Sequence, residues 1–188
     1  PPHQPTMLSF ARDLPNMCSL AGLLCAVFGI YYLFLGKFPI AIIAILWAVV
    51  FDWADGIIAR HIKERTDHQQ AFGGQLDSLI DVVSYGVFPA VFLLSYGKFS
   101  LWFLPGAFLM VAASVIRLSF FSLFGLINNK TYMGLALDNN VLLLAFVFLF
   151  EGFINQFLFS IVLYALLMGS AVFNLAPIRT PKFAGKWF

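Results

Sequence analysis

Four aspartates lie in a largely apolar stretch of the chain and form two pairs with helical spacing. Asp52 and Asp55 are three residues apart, and Asp77 and Asp81 are four apart, so each pair occupies one face of an α-helix. An aspartate near the centre of a membrane-spanning helix costs roughly 2.5–3.5 kcal/mol on insertion scales, and converging carboxylates repel one another. Divalent cations relieve both problems, because oxygen ligands suit Mg²⁺, Mn²⁺ or Ca²⁺. Two facing pairs predict two ions, and paired ions commonly serve phosphoryl chemistry.

The composition is that of a membrane protein. Hydrophobic residues make up 61% of the 188 residues and charged residues only 11%, which is not the composition of a soluble globular domain. We expect a single all-α domain over residues 1–188 that crosses the membrane several times and is surrounded by lipids. We expect no nucleic-acid partner.

Hydropathy and turn residues predict six membrane-spanning helices. They cover about 17–35, 39–60, 72–95, 100–125, 132–150 and 153–174. A polar loop at 61–70 separates the two helices that carry the aspartate pairs, so both pairs lie toward the same membrane face. Residues 1–15 form either a loose tail or a short interfacial helix from Pro5 to Leu14. Residues 176–188 form a basic, aromatic tail at the headgroups.

The basic residues predict the orientation of the protein. If the polar loop lies in the cytoplasm, most lysines and arginines are on that side: Arg12, Arg60, Lys63, Arg65, Lys130, Arg179, Lys182 and Lys186. The other side then holds Lys37 and Lys98, and Arg117 is left within a span. By the positive-inside rule, we expect both termini and the aspartates to face the cytoplasm.

The residues around the aspartates have fixed types and offsets. The first helix reads Asp52-x2-Asp55-Gly56-x2-Ala59-Arg60, and the second reads Gly73-x3-Asp77-x3-Asp81. This pattern resembles the signature of the CDP-alcohol phosphatidyltransferases. Twelve residues separate Arg60 from Gly73, where the family more often has eight. We interpret the difference as four extra residues in the polar loop, which leave both helix faces intact.

The resemblance implies a reaction and a role for each matched residue. An acceptor hydroxyl attacks the lipid-side phosphorus of a CDP-linked alcohol, often CDP-diacylglycerol, and CMP leaves. Two divalent cations would be held by Asp52, Asp55, Asp77 and Asp81, with Asp81 acting as a ligand or as the general base. The CDP site would be lined by Asn16, Asp55, Gly56, Ala59, Arg60 and Gly73. The family also implies a homodimer.

Further polar residues are candidates for binding the acceptor or the lipid phosphate. Arg117 would either pair with a carboxylate of the site or bind a phosphate or an acceptor carboxylate. Ser78 and Ser84 could face the same site, and Lys130 could add charge at its mouth. The polar run at 138–140 would either point into the cavity or make structural hydrogen bonds.

Residues 75–90 resemble the phosphatidylserine synthase branch, which has much the same Leu-Asp-Ser-Leu-x-Asp-x-Val-Ser-x-Gly-Val-x-Pro-Ala run. L-serine is therefore the expected acceptor. The C-terminal half departs from the branch at Ala136, where the branch often has proline after Gly-Leu, so inositol, inositol phosphate, glycerol 3-phosphate or an amino alcohol remain alternatives. An ion-coupled transporter is the alternative from another class. The aspartates argue against it, because they cluster toward the ends of two adjacent spans.

Overall fold

The structure is a computed structural model that describes residues 6–62, 65–124, 131–177 and 179–181. The predicted all-α class is confirmed, with one short two-stranded ladder added to the helices. Contacts divide the chain into two compact units, Pro1–Ser84 and Tyr85–Phe188, and each is described by itself.

The described part of the first unit contains four helices: α1 (Met7–Ala11), α2 (Leu14–Phe34), α3 (Phe38–His61) and α4 (Asp67–Asp81). The buried face of α2 includes Ser19, Gly22, Ala26 and Gly29, which are small residues three or four positions apart. Such a stripe lets a neighbouring backbone approach closely. A Cβ atom added to Gly22 would lie 3.3 Å from the Ala48 carbonyl oxygen of α3. The α2–α3 hairpin is therefore packed through small side chains.

Helix α4 begins at a capping box. The Thr66 side chain accepts a hydrogen bond from the Gln69 backbone N–H at 3.3 Å, and the Gln69 side chain accepts one from the Thr66 N–H at 2.9 Å. Asp67 lies in the first turn, where a negative charge is stabilised by the helix dipole. These local signals set the start of α4 and hence the register that presents Asp77.

The second unit begins inside a π-helical segment, Val82–Val87, which leads into α5 (Phe88–Tyr96). Pro89 has no N–H to donate to the carbonyl of Tyr85, four residues earlier. The Asn140 side-chain amide donates to that carbonyl instead, at 3.3 Å. Asn174 in turn donates to the Asn140 side-chain oxygen at 3.1 Å, and both asparagines are buried. Asn140 thus has the structural hydrogen bonds that were one of the two alternatives for residues 138–140.

The described residues in the rest of the second unit form helices, two short strands and connecting loops. It comprises a 3₁₀ turn (Leu101–Phe103), α6 (Leu104–Phe124), β1 (Thr131–Met133), α7 (Asp138–Phe148), a 3₁₀ turn (Glu151–Phe153), α8 (Gln156–Leu175) and β2 (Arg179–Pro181). The two strands pair antiparallel, with Tyr132 opposite Thr180. The core of the unit includes Phe88 and Phe92 from α5 and Phe159 and Leu163 from α8.

Five helical segments in the described ranges are long and apolar enough to cross a membrane. They are Leu14–Phe34, Phe38–His61, Asp67–Tyr96, Leu101–Phe124 and Gln156–Leu175. They correspond to five of the six predicted spans, and the chain is a multi-pass membrane protein. The predicted span at 132–150 is not seen as such, because its helix α7 has only 11 residues and would extend about 16 Å across a hydrocarbon core of about 30 Å. Gly134, with a φ of 77°, lies in the irregular segment that precedes α7.

The two tails agree only partly with expectation. The N-terminal segment does form a helix, but α1 has five residues and is shorter than the predicted interfacial helix. Its Met7 and Leu8 side chains are exposed, and contact with the membrane stays a prediction. Most of the basic tail at 176–188 lies outside the described residues, while Arg179–Pro181 forms strand β2.

Replacement of Gly134 tests how strongly the segment before α7 is constrained. A Cβ atom at Gly134 would collide with the Asn174 carbonyl oxygen, and the positive φ disfavours any side chain by about 1–2 kcal/mol. We expect Gly134→Ala to lower the thermal unfolding temperature in detergent far more than Gly36→Ala. Gly36 is the matched control because its φ is 68° but nothing lies within 4 Å of the added carbon. Equal shifts for the two variants would show that the Asn174 contact does not constrain this segment.

Candidate active site

Three of the four predicted aspartates come together in the first unit. Asp52 and Asp55 on α3 and Asp77 on α4 each offer a carboxylate oxygen, and these oxygens all lie within 4.8 Å of one another. Asp55 is buried, and the other two are half-buried. Two unit charges about 4 Å apart repel by about 4 kcal/mol at the effective dielectric constant of a protein surface. The oxygen-only donor set and this repulsion fit a divalent cation.

Helix α2 packs against both α3 and α4 and supplies a hydroxyl to the cluster. Ser19 donates a hydrogen bond to the Asp55 carboxylate, and its oxygen also lies 3.1 Å from the Pro15 carbonyl oxygen. A hydrogen bond of this kind orients a carboxylate that binds a metal. Ser19 was not predicted from the sequence. Its position three residues after Asn16, and so on the same helix face, was the available signal.

Asn16 and Gly73, both predicted to line the CDP site, are neighbours in the structure. A Cβ atom added to Gly73 would lie 2.9 Å from the Asn16 side-chain oxygen and 2.8 Å from an Arg65 guanidinium nitrogen. The Asn16 amide group donates to the Phe10 carbonyl at 2.8 Å, so its oxygen is held toward Gly73. The absent side chain at Gly73 therefore permits a close approach of polar groups from α2 and the polar loop.

Arg65 is a second residue that the sequence analysis did not select. Its Nε atom forms an ion pair with Asp13 at 2.7 Å, and its side chain is only 9% exposed. A terminal nitrogen also donates to the Gln69 carbonyl at 3.2 Å. Arg65 lies in the polar loop, which is longer than the family pattern, and the sequence predicts for it only a contribution to the cytoplasmic charge. The sequence alone could not predict this buried ion pair, because Asp13 is far from Arg65 in the sequence.

The remaining first-unit candidates differ in their surroundings. Gly56 is exposed, with nothing within 4 Å of an added Cβ, which leaves room for a ligand. Ala59 is half-buried and Arg60 is exposed. Asp81, the last residue of α4, is half-buried and lies outside the group of three carboxylates.

The candidates for the acceptor or lipid phosphate belong to both units, and the surroundings of each are described separately. The Ser78 hydroxyl donates to the Gly74 carbonyl of its own helix at 2.9 Å. Ser84 is buried in the π-helical segment, and Arg117 is half-buried on α6 in the second unit. Lys130 lies outside the described residues. The roles of these four residues stay predictions.

Taken together, several apolar spans and a buried carboxylate cluster define a membrane protein with a candidate metal centre. A family model described as CDP-alcohol phosphatidyltransferase matches residues 12–176. The chain belongs to this family and is an enzyme of it. The resemblance found in the sequence is therefore confirmed, and the family assignment favours an enzyme over the transporter alternative. Membership implies CDP-diacylglycerol as a substrate and the use of divalent metals.

Two relatives match over most of the chain. One is the CDP-diacylglycerol–serine O-phosphatidyltransferase of Methanocaldococcus jannaschii, 31% identical over 94% of this chain and 79% of the relative. The other is the archaetidylserine synthase of Methanothermobacter thermautotrophicus, 29% identical over 92% of this chain and 71% of the relative. The CDP-diacylglycerol–serine O-phosphatidyltransferase of Bacillus subtilis is 28% identical over 48% of this chain and 49% of its own length. No solved structure matches the chain.

Gly73→Ala tests the polar contact beside the cluster. The new methyl group would displace the Asn16 oxygen or the Arg65 guanidinium, both of which are held by other bonds, so we expect the KM for CDP-diacylglycerol to rise about tenfold, equivalent to about 1.4 kcal/mol. The adjacent Gly74→Ala is the matched control, because nothing lies within 4 Å of its added carbon. Steady-state kinetics of both variants would measure the difference. Equal KM values for Gly73→Ala and Gly74→Ala would show that Gly73 does not contribute to the binding of CDP-diacylglycerol.

Ser19→Ala tests the hydroxyl that holds Asp55. Loss of a hydrogen bond to a metal-binding carboxylate typically weakens metal affinity by 10- to 100-fold, so we expect the Mn²⁺ concentration for half-maximal activity to rise by about that factor. Ser170→Ala is the control, because Ser170 is also a buried serine but donates to the Leu167 carbonyl of its own helix. An unchanged Mn²⁺ requirement in Ser19→Ala would show that the hydroxyl does not support the metal site.

Proposed function

We propose that the protein transfers a phosphatidyl group from CDP-diacylglycerol to L-serine, giving phosphatidylserine and CMP. The observation that carries the transfer chemistry is the cluster of Asp52, Asp55 and Asp77 in a chain of this family. Support for serine comes from the relatives: the M. jannaschii and M. thermautotrophicus enzymes differ in the lipid they are named for, but both names include serine. The resemblance at residues 75–90 points the same way. Inositol, inositol phosphate, glycerol 3-phosphate or an amino alcohol are the alternative acceptors.

Each step of the transfer can be assigned to residues of this chain. Asp52, Asp55 and Asp77, with Asp81 as a possible fourth ligand, would hold two divalent cations. When bound, these ions supply positive charge that neutralises the pyrophosphate and the leaving CMP. The serine hydroxyl oxygen forms a bond to the lipid-side phosphorus as the bond to the CMP oxygen breaks. Asp81 accepts the hydroxyl proton, a role that suits its place outside the group of three carboxylates.

The nucleotide would be positioned around the helix ends of the first unit. The CDP site would be lined by Asn16, Asp55, Gly56, Ala59, Arg60 and Gly73. Gly56 leaves open space for the ligand. Binding of the acceptor or of a lipid phosphate by Arg117, Ser78, Ser84 and Lys130 remains part of the proposal.

The membrane topology is also a proposal. Six crossings, with residues around α7 completing the sixth, would put both termini on one side, and the excess of lysine and arginine supports the cytoplasm for that side and for the aspartates. We further propose that residues 1–188 act as one domain, which the match over residues 12–176 supports, and that two copies form a homodimer.

The decisive experiment is CMP release by the purified protein with CDP-diacylglycerol and Mn²⁺ or Mg²⁺, testing each acceptor separately. We expect serine alone to stimulate release and EDTA to abolish it. Asp81→Asn should lower kcat about 10²- to 10⁴-fold, the usual contribution of a general base, and Asp77→Asn should be similarly impaired. Asp67→Asn is the control, because Asp67 is an exposed carboxylate at the start of the same helix.

Other outcomes would separate the parts of the proposal. Stimulation by a different alcohol would keep the transfer chemistry and reject serine. Turnover that survives EDTA would reject the metal mechanism. Near-normal CMP release by Asp77→Asn would mean that the carboxylate cluster is not the active site.

A further inference from the structure

The second unit contains a cavity that is separate from the candidate active site. None of the residues that line it was given a catalytic or substrate-binding role above. Its volume is about 740 Å³, within the range of about 300–1,000 Å³ that is typical of ligand sites. It is formed by the end of α5, the loop that follows α5, the 3₁₀ turn Leu101–Phe103 and the first turns of α8. The residues that line it include Tyr96, Lys98, Trp102, Phe103, Ser160 and Tyr164.

The lining is mostly apolar and aromatic, with a single charge. Among the described residues that line the cavity, Lys98 is the one charged side chain, and it is exposed. The nearby carboxylate of Glu151 accepts a hydrogen bond from the Tyr96 hydroxyl at 2.9 Å and does not line the cavity. The cavity is thus suited to a ligand with a long apolar part and an anionic end.

The cavity lies where three candidate spans end. The segment Asp67–Tyr96 ends here, and Leu101–Phe124 and Gln156–Leu175 begin here. The ends of spanning helices lie at the depth of the lipid headgroups, where tryptophan is enriched. Trp102 lines the cavity and is 86% exposed, as expected for a residue at that depth. A ligand here would have its polar end among headgroups and its apolar part alongside the helices.

Two aromatic rings form a wall of the cavity because glycines make room for them. A Cβ atom on Gly97 would collide with the Phe103 ring, and one on Gly106 would collide with the Tyr164 ring. The two rings meet edge to face, with centroids 5.8 Å apart. The shape of the cavity therefore depends on specific small residues.

The loop that carries Lys98 adopts an unusual backbone conformation. Lys98 and Phe99 have φ values of 53° and 54°, which residues other than glycine rarely adopt. Hydrogen bonds from the Phe99 N–H to Leu94, at 2.7 Å, and from the Ser100 N–H to Gly97, at 3.1 Å, hold this loop. Strained backbone persists where its surroundings constrain it, often at ligand sites. Here it keeps Lys98 at the rim of the cavity.

We propose that this cavity binds a phospholipid of the surrounding membrane that has a net negative headgroup. One acyl chain lies against the aromatic wall, and the lipid phosphate pairs with Lys98. The volume, the apolar lining, the single positive charge and the position at three helix ends all support this occupant. The site is separate from the proposed transfer reaction, because its residues include neither the carboxylates nor any donor or acceptor candidate.

Quenching of Trp102 fluorescence by brominated lipids tests the proposal without requiring turnover. The full-length protein, with Trp47, Trp53 and Trp187 changed to phenylalanine, would be reconstituted in phosphatidylcholine vesicles. Phosphatidylglycerol with a brominated acyl chain, or phosphatidylcholine with the same chain, would then be added in increasing amounts. We expect brominated phosphatidylglycerol to bind at Trp102 about fivefold more tightly than brominated phosphatidylcholine. This factor is the effect of one basic residue near an anionic surface.

Two variants locate the preference at the cavity. Lys98→Gln should abolish the preference for phosphatidylglycerol, whereas Lys37→Gln should retain it, because Lys37 lies in the α2–α3 turn of the first unit. Ser160→Leu, which narrows the cavity, should reduce quenching by both lipids. The unfolding temperature of each variant would be measured to confirm that it is folded.

Three results would overturn the proposal. Equal quenching by the two lipids would show that the cavity does not prefer an anionic headgroup. A preference that persists in Lys98→Gln but is lost in Lys37→Gln would place the anionic lipid elsewhere. Insensitivity of Trp102 to both lipids, together with cross-linking between cysteines introduced at position 102, would show that a second copy of the chain covers the cavity.

Discussion

The central constraint on this protein is the partial burial of three carboxylates between two helices of a membrane protein. Asp52, Asp55 and Asp77 are close enough for strong mutual repulsion, and water is scarce around membrane-spanning helices. An arrangement of this kind is stable when cations, hydrogen-bond donors or both compensate the charge. Ser19 supplies one donor to Asp55, and divalent cations of the kind that the family uses would supply the larger compensation.

The small residues of the first unit follow from the same constraint. Asp77 on α4 shares one space with Asp52 and Asp55 on α3, and α2 packs against both of these helices. The stripe that includes Gly22 allows α2 to lie close to α3, and Gly73 allows the middle of α4 to lie close to Asn16. The Arg65–Asp13 ion pair then ties the polar loop to the segment before α2. The polar loop between α3 and α4 is thus held at the edge of the candidate site by a largely buried ion pair.

Hydropathy predicted five of the spans well because long apolar helices are a local property of the chain. The prediction for 132–150 was less successful. The apolar run there is real, but polar residues 138–140 begin α7, and residues 131–133 form strand β1 instead of helix. The strand depends on pairing with Arg179–Pro181, and Asn140 depends on Tyr85 and Asn174. Such partners are distant in sequence, so a local window cannot detect them.

Residue types at helical spacing were sufficient to predict the helical class, the membrane environment, the family and the four candidate aspartates, because the spacing defines a helix face and the residue types define its chemistry. The packing of the helices was needed to establish that Asp52, Asp55 and Asp77 form one group while Asp81 lies outside it. It was also needed to establish that Ser19 holds Asp55 and that Arg65 is buried against Asp13. The physical reason is that periodicity fixes which side chains share a helix face, whereas the distance between two helices depends on how their side chains pack. The same reason applies to the cavity beside Lys98, whose walls come from segments far apart in the chain.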